Sequence, residues 1–333
     1  MTVGIEEFAA SAQAIENEIG RVIVGQRDLV RDVLVCLLCE GHALLEGVPG
    51  LGKTQLLKTA SDALRLDFSR IQFTPDLMPA DIVGTNILEE GEDGRRRFEF
   101  RAGPVFANLI LADEINRATP KTQSALLEAM QERSVTVAGD TRKLPRPFFV
   151  MATQNPLEME GTYPLPEAQL DRFLLKSLVP FPPAADLVDI VTRTTGTATQ
   201  SAQPTIDAAT LTAMIDTTRE VPVPTHVVEH AVALVMATHP DQPGAPAEVT
   251  RYVRFGASPR GAQALVLTAK ATALLDARPN ASSADVRAMA HACLRHRLVL
   301  GYEAVADGVK ADDVVDAVLK AVPEPATGLR GAP

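Results

Sequence analysis

The chain has 333 residues, of which 46% are hydrophobic and 22% are charged, and its formal net charge is −10. These values are typical of a globular protein with room for two domains, and the acidic balance argues against broad nonspecific binding to nucleic acid or to an anionic membrane. There is no apolar run near the roughly 20 residues that cross a bilayer and no N-terminal signal pattern, so we expect a cytoplasmic protein.

The N-terminal part of the sequence predicts two helices, over residues 5–20 and 27–39. The second helix contains Cys36 and Cys39, two of the three cysteines in the chain. Because the sequence has no second pair to complete a zinc site, and because both cysteines lie in an apolar helical segment, we expect buried structural thiols. An odd number of cysteines also suits a reducing compartment.

The pattern G-x-x-x-x-G-K-[ST] occurs between a short apolar run, which predicts a buried strand, and a run of good helix formers. Glycines in such a loop let backbone N–H groups surround phosphate oxygens at the positive end of a helix dipole. We expect Lys53 to reach the β- and γ-phosphates of ATP and the Thr54 hydroxyl to bind Mg²⁺. The candidate nucleotide-binding residues here are Gly47, Val48, Pro49, Gly50, Leu51, Gly52, Lys53, Thr54 and Gln55.

Two β-hairpins are predicted after the P-loop helix, at about residues 84–102 and 134–145. The first has an acidic turn and three consecutive arginines, Arg95 to Arg97, at the start of its second strand. These arginines fit a solvated strand balanced by the acidic turn. They fit equally well a loop that touches a substrate or partner, since functional residues often lie on loops of a rigid scaffold.

An apolar strand over residues 108–112 ends in Asp113 and Glu114. In a P-loop protein such a pair forms the Walker B element, so Asp113 is expected to hold Mg²⁺, directly or through water. Glu114 is expected to polarise the attacking water. The distance of roughly 60 residues from the P-loop makes this pattern specific.

The next buried strand, residues 148–153, leads into Asn155 and Pro156. An Asn at the carboxyl end of a central strand is placed to contact the γ-phosphate or the attacking water. An Asn-Pro pair is also a common turn signal. The residues alone leave both interpretations open. A last apolar strand follows within residues 174–181.

The composition changes at residues 180–183, where strand-like runs give way to Ala-, Leu- and Val-rich sequence with helical spacing. We therefore divide the chain into an α/β domain, residues 1–183, and an all-helical domain, residues 184–322. Residues 323–333 are rich in Gly and Pro and are expected to form a flexible tail.

A metalloprotease-like pattern, H-x-x-E-H, competes with the nucleotide interpretation. It comprises His226, Glu229 and His230, and Glu303 is conceivable as a third zinc ligand. The surrounding helix is rich in Val and Ala and is typical of a packing surface. Since five-residue patterns often arise by chance, we expect a helix that packs rather than a zinc site.

Four segments together resemble the MoxR family of AAA+ ATPases, and the resemblance covers nearly the whole chain. They are residues 41–50, 112–117, 152–156 and 165–173. The resemblance implies a P-loop NTPase core, a three-layer fold around a parallel sheet, followed by a helical lid. It further implies that the hairpins are the helix-2 insert and the pre-sensor-1 insert.

The resemblance also implies roles for residues outside the P-loop. Asn155 would be sensor 1, Arg172 an arginine finger acting on a neighbouring subunit's nucleotide, and Arg260 the sensor 2 of the lid. Val24 and Gly25 would lie beside the adenine. Gly52 and Gly261 depart from the commoner small residues of the family, which does not impair phosphate binding because glycine only loosens the backbone.

The function implied by the resemblance is a ring-forming ATPase, most commonly a hexamer, which uses ATP and Mg²⁺ to remodel or mature client complexes. Such proteins work with a partner that carries a von Willebrand factor A domain and often assist metal or cofactor insertion. The sequence does not identify the client. Alternatives are a metal chelatase subunit, a nucleotide-gated switch, which Glu114 disfavours, and a nucleic-acid motor that uses Arg95 to Arg97. The acidic charge and the 4% aromatic content argue against the motor.

Overall fold

The computed structural model describes residues 3–48, 50–90, 96–155, 162–196 and 201–325. Of the residues singled out in the sequence, Pro49, Arg95 and Pro156 lie outside these ranges, as does most of the expected C-terminal tail.

Helices and strands alternate in the first half of the chain, whereas helices dominate the second. The helices are α1 (Ile5–Val22), α2 (Arg27–Leu38), α3 (Lys53–Leu64), α4 (Pro79–Val83), α5 (Pro120–Glu132), α6 (Glu167–Leu170), α7 (Ala184–Thr195), α8 (Ala208–Glu220), α9 (Thr225–Met236), α10 (Ala247–Tyr252), α11 (Pro259–Leu275), α12 (Ser283–Ala288), α13 (Ala290–Leu294), α14 (Tyr302–Asp307) and α15 (Ala311–Ala321). The strands are β1 (Ala43–Glu46), β2 (Phe68–Gln72), β3 (Gly84–Glu90), β4 (Arg96–Ala102), β5 (Leu109–Asp113), β6 (Ser134–Val137), β7 (Asp140–Lys143), β8 (Phe149–Gln154), β9 (Leu175–Leu178), β10 (Val253–Phe255) and β11 (Val299–Leu300).

The chain forms two compact units. The boundary between them lies further along the sequence than the change in composition at residues 180–183. The first unit contains residues 10–215, and the second contains residues 3–9 and 216–325. The segment that follows the change in composition belongs to the first unit, because its backbone forms a hydrogen bond with that unit. The Thr205 backbone N–H donates to the Ala63 carbonyl at 2.8 Å. The N-terminal residues belong to the second unit, where the Val3 N–H donates to Thr217 Oγ1 at 2.9 Å.

A five-stranded parallel sheet in the order β2-β5-β8-β1-β9 forms the centre of the first unit. Its middle strands are continuous apolar runs, and Leu111, Val150 and Leu44 on three adjacent strands are fully buried. Such runs are typical of parallel strands covered on both faces. The predicted α/β class with a parallel sheet is therefore confirmed.

The register of the sheet determines which side chains meet at its carboxyl edge. Gln72 pairs with Asp113, and Glu46 pairs with Gln154. Because parallel strands all end at the same edge, the P-loop, the two Walker B carboxylates and the end of β8 lie together there.

The antiparallel hairpins β3–β4 and β6–β7 pack against each other near the base of β4. The Phe100 ring meets Phe106 edge-on at 5.6 Å, and the Arg142 guanidinium lies 4.0 Å from the Phe100 ring centre. Further along the same face of β3–β4, the cross-strand pair Leu88 and Phe98 is 54% and 75% exposed. The base of this apolar face is covered and its outer part is open.

The second unit is helical except for β10 and β11, which pair antiparallel through Val253 with Leu300 and Phe255 with Val299. Our prediction of an all-helical domain was wrong at this point. The two strands have three and two residues, which is too short to show a period of two in the sequence. Within this unit α12 and α13 are separated by a break at Met289.

Cys36 and Cys39 are buried and form no disulfide, as expected for structural thiols. The metalloprotease-like pattern is spread over different faces of α9, because His226 and Glu229 are exposed and His230 is buried. Among the described residues there is no group of three or more His, Cys, Asp or Glu side chains that could hold a metal ion. None of the helices in the described ranges is both long and apolar enough to cross a membrane.

Candidate functional site

The loop between β1 and α3 depends on glycines. Gly50 and Gly52 have φ values of 85° and 75°, in the left-handed region that other L-residues rarely adopt. At Gly47 an added Cβ would lie 2.9 Å from the Val179 backbone oxygen. The loop therefore turns tightly into α3, whose first N–H groups have no acceptor within the helix and form a site for anions.

Lys53, the first residue of α3, points its side chain back across this loop. Its ammonium donates to the Gly47 carbonyl at 2.6 Å. Partial burial lowers the pKa of Lys53, while the charges of Asp113, Glu114 and Glu46 oppose that shift. The result is a half-buried cation close to several carboxylates and to the anion-binding end of α3.

Both carboxylate oxygens of Asp113 accept hydrogen bonds from side chains of neighbouring strands. The Thr153 hydroxyl on β8 donates to Asp113 Oδ1 at 2.7 Å. The Arg70 guanidinium on β2 donates to Asp113 Oδ2 at 2.6 Å. Asp113 is thus held from both sides of β5.

Glu114 sits just beyond the end of β5 in a left-handed backbone conformation, with φ at 57°. Its N–H donates to Thr153 Oγ1 at 2.8 Å. Its carboxylate oxygen Oε2 accepts from Gln72 Nε2 and from Arg117 Nη1, each at 2.9 Å. A non-glycine residue at positive φ is uncommon and often marks a functional site.

These groups line one cleft at the carboxyl edge of the sheet. Asn155 also lines this cleft and is only 8% exposed. The described lining residues are Gly47, Gly50, Leu51, Gly52, Lys53, Thr54, Gln55, Arg70, Gln72, Asp113, Glu114, Thr153, Gln154 and Asn155. The structure therefore brings together most of the predicted P-loop, Walker B and sensor residues.

Val24 and Gly25 line a different cleft, between α1, α2 and α7. Gly25 has a φ of 72°, and an added Cβ would lie 2.0 Å from Asp186 Oδ2. The next residue connects this segment to the P-loop, because Gln26 Nε2 donates to the Leu51 carbonyl at 2.8 Å. This contact was not anticipated from the sequence.

Arg172 lies away from the P-loop cleft and lines a separate surface cleft beside α5, with Glu128 and Gln169 among its neighbours. Among the described residues, no carboxylate lies within 4 Å of its guanidinium. Arg260 belongs to the second unit. It lies in the first turn of α11, where its N–H donates to the Ser258 hydroxyl at 3.1 Å.

Four residues that contact the Asp113 or the Glu114 carboxylate were not predicted from the sequence. They are Arg70 and Thr153, which contact Asp113, and Gln72 and Arg117, which contact Glu114. Arg70 and Gln72 are two residues apart in β2 and therefore point to the same face. Two polar residues on the same face of a strand are a sequence pattern that could have marked Arg70 and Gln72 as candidates. Their partners, however, depend on which strand lies beside β2, and a single sequence does not specify that.

The arrangement combines a half-buried ammonium, an anion-binding helix end and two oriented carboxylates. The Thr54 hydroxyl and the Asp113 carboxylate are hard oxygen donors, which suit Mg²⁺. The residues present thus fit both a nucleotide phosphate chain and a divalent cation.

The chain matches known proteins over nearly its whole length. A model of the ATPase family associated with various cellular activities (AAA) matches residues 42–175, and a model of the AAA lid domain matches residues 246–318. A crystal structure of a putative ATPase from Cytophaga hutchinsonii superposes with a TM-score of 0.90 at 38% identity, covering 96% of this chain and 97% of that one.

Curated relatives agree with these matches. The chain is 45% identical over 326 residues to Chaperone MoxR1 of Mycobacterium tuberculosis, covering 97% of this chain and 85% of that protein. It is 31% identical to Protein MoxR of Paracoccus denitrificans, covering 98% of this chain and all of the relative. With the P-loop cleft in place, these similarities show that the chain belongs to the MoxR family of AAA ATPases.

Proposed function

We propose that this MoxR-family ATPase couples Mg²⁺-dependent ATP hydrolysis to the remodelling or maturation of a client protein complex, together with a partner that carries a von Willebrand factor A domain. The chaperone name of a relative at 45% identity supports the remodelling role. The observation that carries the proposal is the cleft in which Lys53 faces the Asp113 and Glu114 carboxylates.

Lys53 and the start of α3 would bind the phosphate chain. The Lys53 ammonium, bonded to the Gly47 carbonyl at 2.6 Å, can exchange that neutral acceptor for a phosphate oxygen. Such an exchange is favourable because a charge-assisted hydrogen bond is stronger than a bond to a neutral carbonyl. The remaining N–H groups of the loop would orient the phosphates.

Thr54 and Asp113 would hold Mg²⁺, which, when bound, neutralises charge that develops on the phosphate oxygens. Thr153 fixes the Asp113 carboxylate through a hydrogen bond of 2.7 Å. The orientation of this ligand is therefore set by the register of β5 and β8.

Glu114 would accept a proton from the attacking water. Bonds from Gln72 and Arg117, each 2.9 Å, hold its carboxylate in a defined place. Asn155, which lines the same cleft, supplies an amide that can orient the water or the terminal phosphate.

Two substitutions test the division of roles. Lys53→Ala removes the phosphate-binding cation and is expected to weaken ATP affinity about 10- to 100-fold. Glu114→Gln keeps the binding groups but removes the base, and is expected to bind ATP while hydrolysing it about 10²-fold or more slowly. Nucleotide titrations and phosphate release measure the two effects.

Lys58→Ala is the matched control for Lys53→Ala, since Lys58 is an exposed lysine of the same helix. It should bind and hydrolyse ATP like the wild type. Near-wild-type hydrolysis by Glu114→Gln would contradict the assignment of the base.

A further inference from the structure

Arg70 occupies one of the two oxygens of the Asp113 carboxylate. The Arg70 guanidinium lies 2.6 Å from Asp113 Oδ2, and Thr153 takes the other oxygen, Oδ1, at 2.7 Å. The Thr153 bond is the less exchangeable of the two, because its hydroxyl also accepts the Glu114 N–H and is buried. A cation that binds Asp113 through Oδ2 therefore has to displace Arg70.

The Arg70 side chain is also able to move away from Asp113. This side chain is 48% exposed and lies on β2, the edge strand of the sheet. An ion pair that is half open to solvent is worth little, so breaking it costs little. The Asp113 side chain is only 19% exposed, so it stays in place when Arg70 moves.

A second acceptor helps to retain Arg70 after its release. The same nitrogen, Nη2, lies 2.6 Å from Gln72 Oε1, on the same face of the same strand. Gln72 is held in turn by its bond to Glu114. The guanidinium can thus keep one bond while its contact with Asp113 is replaced.

We propose that Arg70 takes the place of the divalent cation on Asp113 until the metal binds. Arg70 keeps the Asp113 carboxylate in position, and the metal displaces Arg70 when the metal–nucleotide complex binds. This rests on the proposed function, in which Asp113 is a metal ligand. Arg70 acts through Asp113 and is therefore a positioning residue. Its charge opposes metal entry in two ways, by competition for Oδ2 and by direct repulsion of the cation.

The exchange predicts that removing the Arg70 charge makes metal binding tighter. MgCl₂ is titrated into a mixture of the protein and fluorescent N-methylanthraniloyl-ADP. The readout is the Mg²⁺ concentration at which the fluorescence change is half complete, determined separately for each variant. Arg70→Gln is expected to lower this midpoint about two- to fivefold, as expected for loss of a half-exposed ion pair. Arg70→Lys keeps the charge and should stay within about twofold of the wild type.

Lys58→Gln is the matched control, because it removes one positive charge from an exposed side chain of the same unit. Its midpoint should equal that of the wild type. An unchanged or higher midpoint in Arg70→Gln overturns the proposal, as does an equal shift in Arg70→Lys or Lys58→Gln. Circular dichroism of each variant shows that it is folded.

The experiment separates this inference from the proposed function. Wild-type protein that does not bind the fluorescent nucleotide at all would refute the nucleotide site itself. Binding that depends on Lys53 but shows no effect of Arg70 on the Mg²⁺ midpoint would refute only the exchange.

Discussion

At the residue scale, His42 is a fully satisfied buried side chain just before β1. The Val150 N–H donates to its Nδ1 at 3.0 Å, so Nδ1 carries no proton, and Nε2 donates to the Met130 carbonyl at 3.1 Å. Burial lowers the pKa of His42 from 6.5 to about 4, and the nearby charge of Arg133 acts in the same direction. Protonating the ring would break the bond to Val150.

This predicts a specific loss of stability in acid. Above pH 6.5 the ring is neutral in both the folded and the unfolded chain, so it adds no pH dependence. Between pH 6.5 and about 4 only the unfolded chain takes up the proton, so the free energy of unfolding falls. The total loss is about 3 kcal/mol. Urea unfolding followed by circular dichroism at a series of pH values measures it.

A His42→Asn variant is the comparison, because it lacks the titrating ring. We expect it to be less stable than the wild type at neutral pH and to lack the additional loss between pH 6.5 and 4. Equal pH dependence in the two proteins would show that His42 does not titrate in this way.

The site residues that the sequence revealed are those whose chemistry is local. The P-loop signal lies within eight consecutive positions, 47–54, and Asp113 and Glu114 are recognised by the apolar strand before them. Thr153 and Arg70 became visible only in the structure. Their roles depend on the placement of β8 and β2 on either side of β5, which is set by packing of the whole sheet.

At the element scale, the buried parallel strands were predictable and the small β10–β11 pair was not. A strand such as β8, with its buried run from Phe149 to Ala152, stands out from its surroundings by hydrophobicity. β10 directly follows α10 and shares no such contrast. Its pairing is imposed by tertiary contacts within the second unit.

The hairpin β3–β4 presents an open apolar pair, Leu88 and Phe98, next to a basic stretch, of which Arg96 and Arg97 are described. We propose that this hairpin contacts the client or partner. Replacing Arg95, Arg96 and Arg97 with Ala should leave basal ATP hydrolysis within about twofold, because exposed substitutions change little locally. Stimulation of hydrolysis by the client or partner should fall. A phosphate-release assay with and without the von Willebrand factor A protein measures both.

The same variant distinguishes the nucleic-acid alternative. Single-stranded DNA should not change the hydrolysis rate of the wild type. If it stimulates hydrolysis and the triple substitution abolishes that effect, the hairpin binds nucleic acid instead.

At the scale of the whole molecule, we propose a ring, most simply a hexamer, in which each nucleotide site is shared between subunits. Arg172 lines a surface cleft separate from the P-loop cleft of its own chain. Its guanidinium lies more than 4 Å from every carboxylate of the described residues. These features suit a cation that acts on a neighbouring subunit.

The shared site predicts complementation. Arg172→Ala should lower hydrolysis about 10³-fold or more, as loss of an arginine finger does elsewhere. Mixing it with Lys53→Ala should restore part of the activity, because a subunit with an intact P-loop can then meet a neighbour with an intact Arg172. Hydrolysis per subunit should also rise with protein concentration, since head-to-tail contacts must form first.

Each variant assayed alone is the control for the mixture. A demonstrated monomer that hydrolyses ATP at a rate independent of concentration would contradict the shared site.

The order of strands in the central sheet has a consequence for synthesis on the ribosome. β1, which carries the P-loop, pairs with β8 and β9, and β9 ends only at Leu178. At about 5–20 residues per second, β1 waits roughly 7 to 26 s for its second neighbour to be translated. Until β8 has been translated as far as Gln154, the apolar residues Leu44 and Leu45 of β1 have no neighbouring strand in the sheet. The strand that carries the P-loop is therefore paired on both sides only after Leu178 has been synthesised, late in the translation of the first unit.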